Sequence, residues 1–171
     1  MGKRALFYGV IGLQVFFLLA MSVSYYAIDW FGQEIRLKTE PVDPRDIFYG
    51  DYVTLHYTIS TIPKELWKDS EEPSYKEPVY VVIREEGGYF EAVSVNRNRP
   101  EINDNEVLMK GRYLYDLNES ELFIEYGIER YFVQEGTGME LEEQADRMEA
   151  YIKIAPWGQM KITNVQLIEE N

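Results

Sequence analysis

Hydrophobic and polar positions follow two different rules along this chain, and the change falls near residue 30. From Ala5 to Ile28 no residue is charged, and twelve of the positions are Leu, Ile, Val or Phe. As a helix, that stretch reaches about 36 Å, against about 30 Å for the hydrocarbon core of a bilayer. Its large apolar side chains favour insertion by roughly 5 kcal/mol, and Gln14, Ser22 and Ser24 oppose this only weakly. Tyr25, Tyr26 and Trp30 form an aromatic belt at the far interface, and Asp29 ends the apolar run. Lys3 and Arg4 precede the span, whereas Asp29 and Glu34 follow it, so the positive-inside rule places the N-terminus in the cytoplasm of a cell and the rest outside its membrane. The rival reading is a cleaved signal peptide, with small residues at Ala20-Met21-Ser22. The apolar run continues to Ile28, longer than a signal core, which favours an uncleaved anchor over residues 1–30 and a β domain over 31–171.

Beyond the span the period is two. Ile35, Leu37 and Thr39 alternate with Arg36 and Lys38. Val53, Leu55, Tyr57 and Ile59 share one face of a second run, opposite Thr54, His56, Thr58 and Ser60. After a polar link over 63–78, residues 79–84 and 89–95 read as a hairpin through Glu85-Glu86-Gly87-Gly88. Residues 96–105 are rich in Asn, Arg, Pro and Asp and read as a loop. Strands are expected at 106–115 and 122–133, joined by a turn over 116–119. Thr137-Gly138-Met139-Glu140 is a capping box, and Leu141, Ala145 and Met148 make one apolar face of a short helix. Two last strands, 150–155 and 160–168, meet at Pro156-Trp157-Gly158, with a bulge expected where the apolar phase slips near Asn164. The fold class is therefore mainly β: an antiparallel sandwich or partly open barrel with one short helix, preceded by a transmembrane helix. The fourteen Tyr and eight Phe suit such a core, with rings inside and phenol tips in reach of water.

The balance of charge changes the picture of partners. Thirty acids face seventeen bases, for a net −13, and beyond Ile28 fifteen bases face thirty acids. That excludes nucleic acid as the natural partner and disfavours flat adsorption of the domain on anionic lipid. The chain has no cysteine, which excludes disulfides, thiolate catalysis, Cys-ligated zinc and lipobox acylation.

Two segments carry the most specific patterns. The first is Gly50-Asp51-Tyr52-Val53-Thr54-Leu55-His56-Tyr57, preceded by Asp43-Pro44-Arg45-Asp46. Gly50 accepts positive φ, Asp51 accepts backbone amides, and Pro44 keeps Asp43 extended, so the segment reads as a tight turn entering a strand. Tyr52 points away from Val53, Leu55 and Tyr57. One reading is a folding device, and the other a surface patch of Asp43, Arg45, Asp46, Asp51 and Tyr52 that binds a partner. The second segment is Tyr126-Gly127-Ile128-Glu129-Arg130-Tyr131, followed by Phe132 and, after a few residues, Gly136. Arg130 is a candidate ion-pair partner for the acids of the first segment. His56, the single histidine, lies on the polar face of its strand and without cysteine makes a poor metal site.

With Gly50, Asp51, Tyr52, Leu55 and Tyr57 all in place, the first segment resembles the motif that names the GDYXXLXY family of small bacterial membrane-anchored proteins. The anchor, the Asp-Pro-Arg-Asp loop, this motif, the block from Tyr126 and the closing hairpin stand in the order the family has them. The resemblance implies a membrane-anchored β-rich protein, with docking to another membrane protein as its implied partner, and brings no activity, cofactor or catalytic residue with it. Asn118-Glu119-Ser120 fits a glycan acceptor pattern, relevant only to a eukaryotic secretory route, which the bacterial resemblance disfavours.

Three functions are weighed. The expected one is a structural or interaction module of an envelope assembly, held in the bilayer by its first helix. The second is a module for a ligand or cation; the run Glu140, Glu142, Glu143 and Asp146 is acidic but lacks the spaced oxygens of a calcium loop. The third is a hydrolase resembling membrane signal peptidases, which needs a serine nucleophile and a lysine base. Ser22 and Ser24 lie inside the span, and Ser60, Ser70, Ser74, Ser94 and Ser120 have no nucleophile motif around them. No catalytic residue, metal ligand or cofactor is expected.

Overall fold

A computed structural model of the chain describes residues 2–40, 52–132 and 148–168. The apolar run is one helix, α1 (Lys3–Phe31), and the only link to the first strand is Gly32. Among the described residues eleven strands follow: β1 (Gln33–Glu40), β2 (Tyr52–Thr54), β3 (His56–Tyr57), β4 (Thr61–Pro63), β5 (Pro78–Glu86), β6 (Tyr89–Asn96), β7 (Glu106–Asn118), β8 (Glu121–Glu125), β9 (Arg130–Phe132), β10 (Met148–Ile154) and β11 (Met160–Leu167). They form a four-stranded sheet in the order β11-β10-β1-β3, a five-stranded sheet in the order β4-β8-β7-β5-β6, and a two-stranded ladder of β2 and β9. All these pairings are antiparallel, and no barrel closes among the described residues.

The alternation read from the sequence decides which faces meet. Ile35, Leu37, Ala150, Ile152 and Ile154 are buried on the four-stranded sheet, with Ile35 directly opposite Ile152. Val79, Val81, Ile83, Val107, Met109 and Ile124 are buried on the five-stranded sheet, and the two sets share one core. Arg36, Lys38, Tyr151 and Lys153 take the outer face, as their phase requires.

The hairpin of β5 and β6 closes through Gly87 and Gly88, both at positive φ, as a primed turn demands. The bulge expected near Asn164 is present: Tyr151 pairs with Asn164 and Ile152 with Ile162, leaving Thr163 as the extra residue.

Four local readings change. The run from Val53 to Ser60 keeps its buried face, but it is divided between β2, β3 and a 3-10 turn over Thr58–Ser60, and Ser60 is buried rather than solvated. The strand expected over 122–133 breaks into β8 and β9 at Gly127, whose φ of 80° only glycine adopts freely. The turn expected over 116–119 falls later, because Asn118 Oδ1 accepts the Ser120 amide at 2.8 Å and closes the reversal there. Met148 is a strand residue, not a helix-face residue: it pairs with Leu167, and its carbonyl accepts the Thr39 hydroxyl at 2.8 Å. The rest of the expected short helix lies outside the described residues.

Gly111 on β7 leaves no room for a side chain. A Cβ there would sit 2.6 Å from Ile124 Cγ2, 3.1 Å from the Glu125 carbonyl and 3.3 Å from the Tyr126 ring. Gly111→Ala is therefore expected to destabilise the domain by about 1–3 kcal/mol through overpacking. Thermal unfolding of the full chain in detergent checks this, and an unchanged midpoint would mean that Ile124 rotates away without strain.

Candidate functional site

The two sequence segments singled out by pattern lie side by side. β2 pairs with β9, with Tyr52 opposite Phe132, Val53 opposite Tyr131 and Thr54 opposite Arg130. The Leu55 amide donates to the Glu129 carbonyl at 2.6 Å. Two phenols then cross between the segments. Tyr57 Oη donates to the Ile128 carbonyl at 2.6 Å, and Tyr126 Oη donates to the Ile59 carbonyl at 2.6 Å. Each tyrosine thus satisfies a buried carbonyl on the other segment, which an all-apolar core would leave unpaired.

Electrostatics fix the role of these phenols. Burial, and secondarily the charge of Glu129, raises both tyrosines far above their ordinary value, so they remain neutral donors. Glu129 closes the turn by accepting the Tyr126 amide and, at 2.9 Å, the Gly127 amide. Its carboxyl is nonetheless raised above the ordinary glutamate value, because burial outweighs those bonds. Tyr57 and Tyr126 therefore act as struts between the segments, their protons committed to backbone carbonyls.

Of the candidate patch, Asp43, Arg45, Asp46 and Asp51 lie outside the described residues, as do Gly50 and Gly136. Tyr52 enters β2, and Arg130 is brought into register with Thr54, at the end of that same ladder. Leu55 and Tyr57 are core residues, and Tyr131 packs against the core from its edge. His56 is half-buried, with its ring tilted against Phe123 at 5.5 Å. No group of three potential metal ligands occurs among the described residues.

A second polar centre has no sequence signature. Glu149 is 4 % exposed on the outer face of the four-stranded sheet. It accepts bonds from Tyr89 Oη at 2.8 Å, Tyr151 Oη at 2.8 Å and Gln166 Nε2 at 2.9 Å, with Arg36 Nη1 at 3.7 Å. Arg36 also donates through Nε to the Gly88 carbonyl at 2.8 Å and lies over the Tyr89 ring. These groups line an open cleft of about 620 Å³. The centre ties β1, β10 and β11 to the tip of the β5–β6 hairpin. The only hint in the sequence is that Arg36 and Tyr151 share the polar phase of neighbouring strands.

Burial alone would raise the Glu149 carboxyl, but the bonds from Gln166, Tyr89 and Tyr151 and the charge of Arg36 outweigh it and hold the carboxyl below its ordinary 4.5. The unfolded chain therefore takes up this proton first as pH falls. The stabilisation is complete above about pH 4.5 and is lost as pH drops through the folded value. Glu149→Gln should cost about 1–2 kcal/mol at neutral pH and flatten the stability curve in that acid window. Because Glu129 shifts in the opposite direction, the difference between the two proteins' curves, not the wild-type curve, isolates the effect; parallel curves would contradict it.

The third assembly is where the anchor meets the domain. Ile28 is fully buried, and the Asp29 carboxylate reaches Lys161 Nζ at 2.9 Å and Lys153 Nζ at 3.8 Å. The Ser24 hydroxyl donates to Gln159 Oε1 at 3.3 Å, and Lys161 Nζ stands 4.6 Å from the Tyr25 ring centre. A Cβ on Gly32 would collide with the Ile28 carbonyl, so glycine permits the abrupt passage from helix to β1. The end of α1 is thus seated on β10 and β11, and its other large apolar side chains remain exposed, on a helix long and apolar enough to cross a membrane.

In comparison with known proteins, the sequence profile of the family described as GDYXXLXY protein matches residues 14–165. No curated protein and no solved structure matches the chain.

Proposed function

The chain belongs to the GDYXXLXY protein family, and from that premise we propose that it is a single-pass, non-enzymatic interaction module that presents its β domain outside the cell membrane for docking to another membrane protein. The apolar helix and the family both fit a membrane-anchored β-domain protein. The observation that carries the finer reading is the seating of the helix end. One residue links anchor to domain, and Ile28, Asp29, Lys153 and Lys161 fix their relative orientation. A ligand scavenger gains nothing from a fixed mount, whereas lateral recognition of a neighbour in the same bilayer does, because orientation is settled before encounter. Lys3 and Arg4 at the start of the helix support an N-terminus inside and a domain outside. The surface offered to the partner would include Asp43, Arg45, Asp46, Asp51, Tyr52 and Arg130.

Two measurements test this. Protease added to intact cells should digest the β domain and leave the helix protected; digestion only after lysis would reverse the topology. Capture of the full chain from native membranes in mild detergent should recover a membrane protein, and Asp46→Lys with Arg130→Glu should release it. Recovery of the chain alone under every condition would overturn the interaction role.

A further inference from the structure

We propose that the cleft beside the β10–β11 turn holds the headgroup of an anionic phospholipid of the surrounding bilayer, with Arg99 and Lys110 on its phosphate and Trp157 in the interfacial layer. The inference rests on the reading of α1 as a membrane anchor and adds a specific lipid site to it.

Geometry sets the depth. Gln159, just past the turn, accepts from Ser24 on the helix at 3.3 Å and from Trp157 Nε1 at 3.2 Å. Ser24 lies about 10 Å along the helix axis from Phe31, on the membrane side. It is level with Tyr25 and Tyr26, the aromatic residues that mark the interface. The turn therefore does not stand above the bilayer; it descends along the helix to the headgroup level. The side chain at its tip, Trp157, is 49 % exposed, and Ile102 on the neighbouring loop is 43 % exposed. Tryptophan at this depth, with one apolar body and one bonded N–H, is the side chain favoured at membrane interfaces.

Charge sets the ligand. Phe31, Ile102, Trp157, Arg99 and Lys110 line a cleft of about 420 Å³, a volume adequate for a small polar group. Glu106 also lines it, but that carboxylate is occupied by Arg84 and by the Asn103 amide at 2.9 Å. Arg99 and Lys110 are exposed and have no ion-pair partner among the described residues, in a chain where acids outnumber bases nearly two to one. Glu101 and Asp104 belong to the same loop but do not line the cleft. The charged side chains that line the cleft are thus net positive, opposite to the domain as a whole, and an anionic phospholipid is the ligand that a bilayer supplies at that depth.

The test uses the full chain in phosphatidylcholine vesicles, with Trp30→Phe to remove the tryptophan on the helix. Phosphatidylcholine brominated near the headgroup should quench Trp157, and the quenching should vanish in Trp30→Phe/Trp157→Phe. Brominated phosphatidylglycerol added as a minor lipid should quench Trp157 roughly tenfold more effectively per molecule, and Arg99→Gln/Lys110→Gln should remove that preference. Equal quenching with and without Trp157 would overturn the site, as would equal quenching by the two headgroups. Flotation of the protein with the vesicles reads the anchor separately. Flotation with no Trp157 quenching refutes the lipid site alone, and loss of flotation refutes the anchor together with the site.

Discussion

Tyr57→Phe should destabilise the β domain by about 1–2 kcal/mol, although it removes a single oxygen. The phenol donates to the Ile128 carbonyl at 2.6 Å in a site with no exposed surface, so its loss leaves a buried acceptor unpaired. Tyr126→Phe should lose a similar amount at the Ile59 carbonyl. The two bonds link the same two segments in opposite directions. Once one is gone the segments part slightly, so the double variant should lose less than the sum of the singles. Tyr57→Ala adds a cavity and should cost about 3–5 kcal/mol, the largest single loss expected in this fold. Denaturant unfolding of the full chain in detergent, followed by tryptophan emission, checks each value. A Tyr57→Phe protein as stable as the parent would mean that the phenol oxygen is not what a tyrosine contributes at the end of the family motif.

Ile28→Asp should act on the mount and spare the sandwich. Ile28 is fully buried where the helix meets β10, yet it is outside the main core cluster. An unpaired carboxylate there is too costly to keep, so the helix end undocks and the carboxylate reaches water. The loss is then capped near the free energy of docking, about 2–3 kcal/mol from burying one isoleucine. Spin labels on α1 and β11 should show one narrow distance distribution in the parent and a broad one in the variant, while the domain's own unfolding midpoint moves little. A domain that unfolds outright in Ile28→Asp would mean that helix and sandwich form a single cooperative unit.

The sequence discloses faces more readily than breaks. Ile35, Leu37, Ala150, Ile152 and Ile154 belong to the core by alternation alone, since one buried face makes a strand's phase unambiguous. The helix is legible from length and absence of charge, and the Gly87-Gly88 hairpin from turn chemistry. The division of residues 122–133 is hidden, because large apolar and aromatic residues recur on both sides of the Gly127 turn that Glu129 closes, so the run reads as one strand. At the candidate sites, the pairing of Tyr57 with Ile128 spans 71 residues, and that of Glu149 with Tyr89 spans 60. Such contacts follow from register, which no local window contains. Asp29 reads in the sequence only as the end of an apolar run; its second role, holding Lys161 and Lys153, depends on the position of β10 and β11.

A helix end fixed to its β domain at the membrane underlies both the docking role and the lipid site. The chain's lack of cysteine makes a direct probe possible: Ser24→Cys with Gln159→Cys, joined by a short bifunctional maleimide in native membranes. The seated arrangement predicts an efficient intramolecular cross-link that Ile28→Asp abolishes. A folded, membrane-inserted protein that forms no cross-link, or forms it equally with Ile28→Asp, would contradict it.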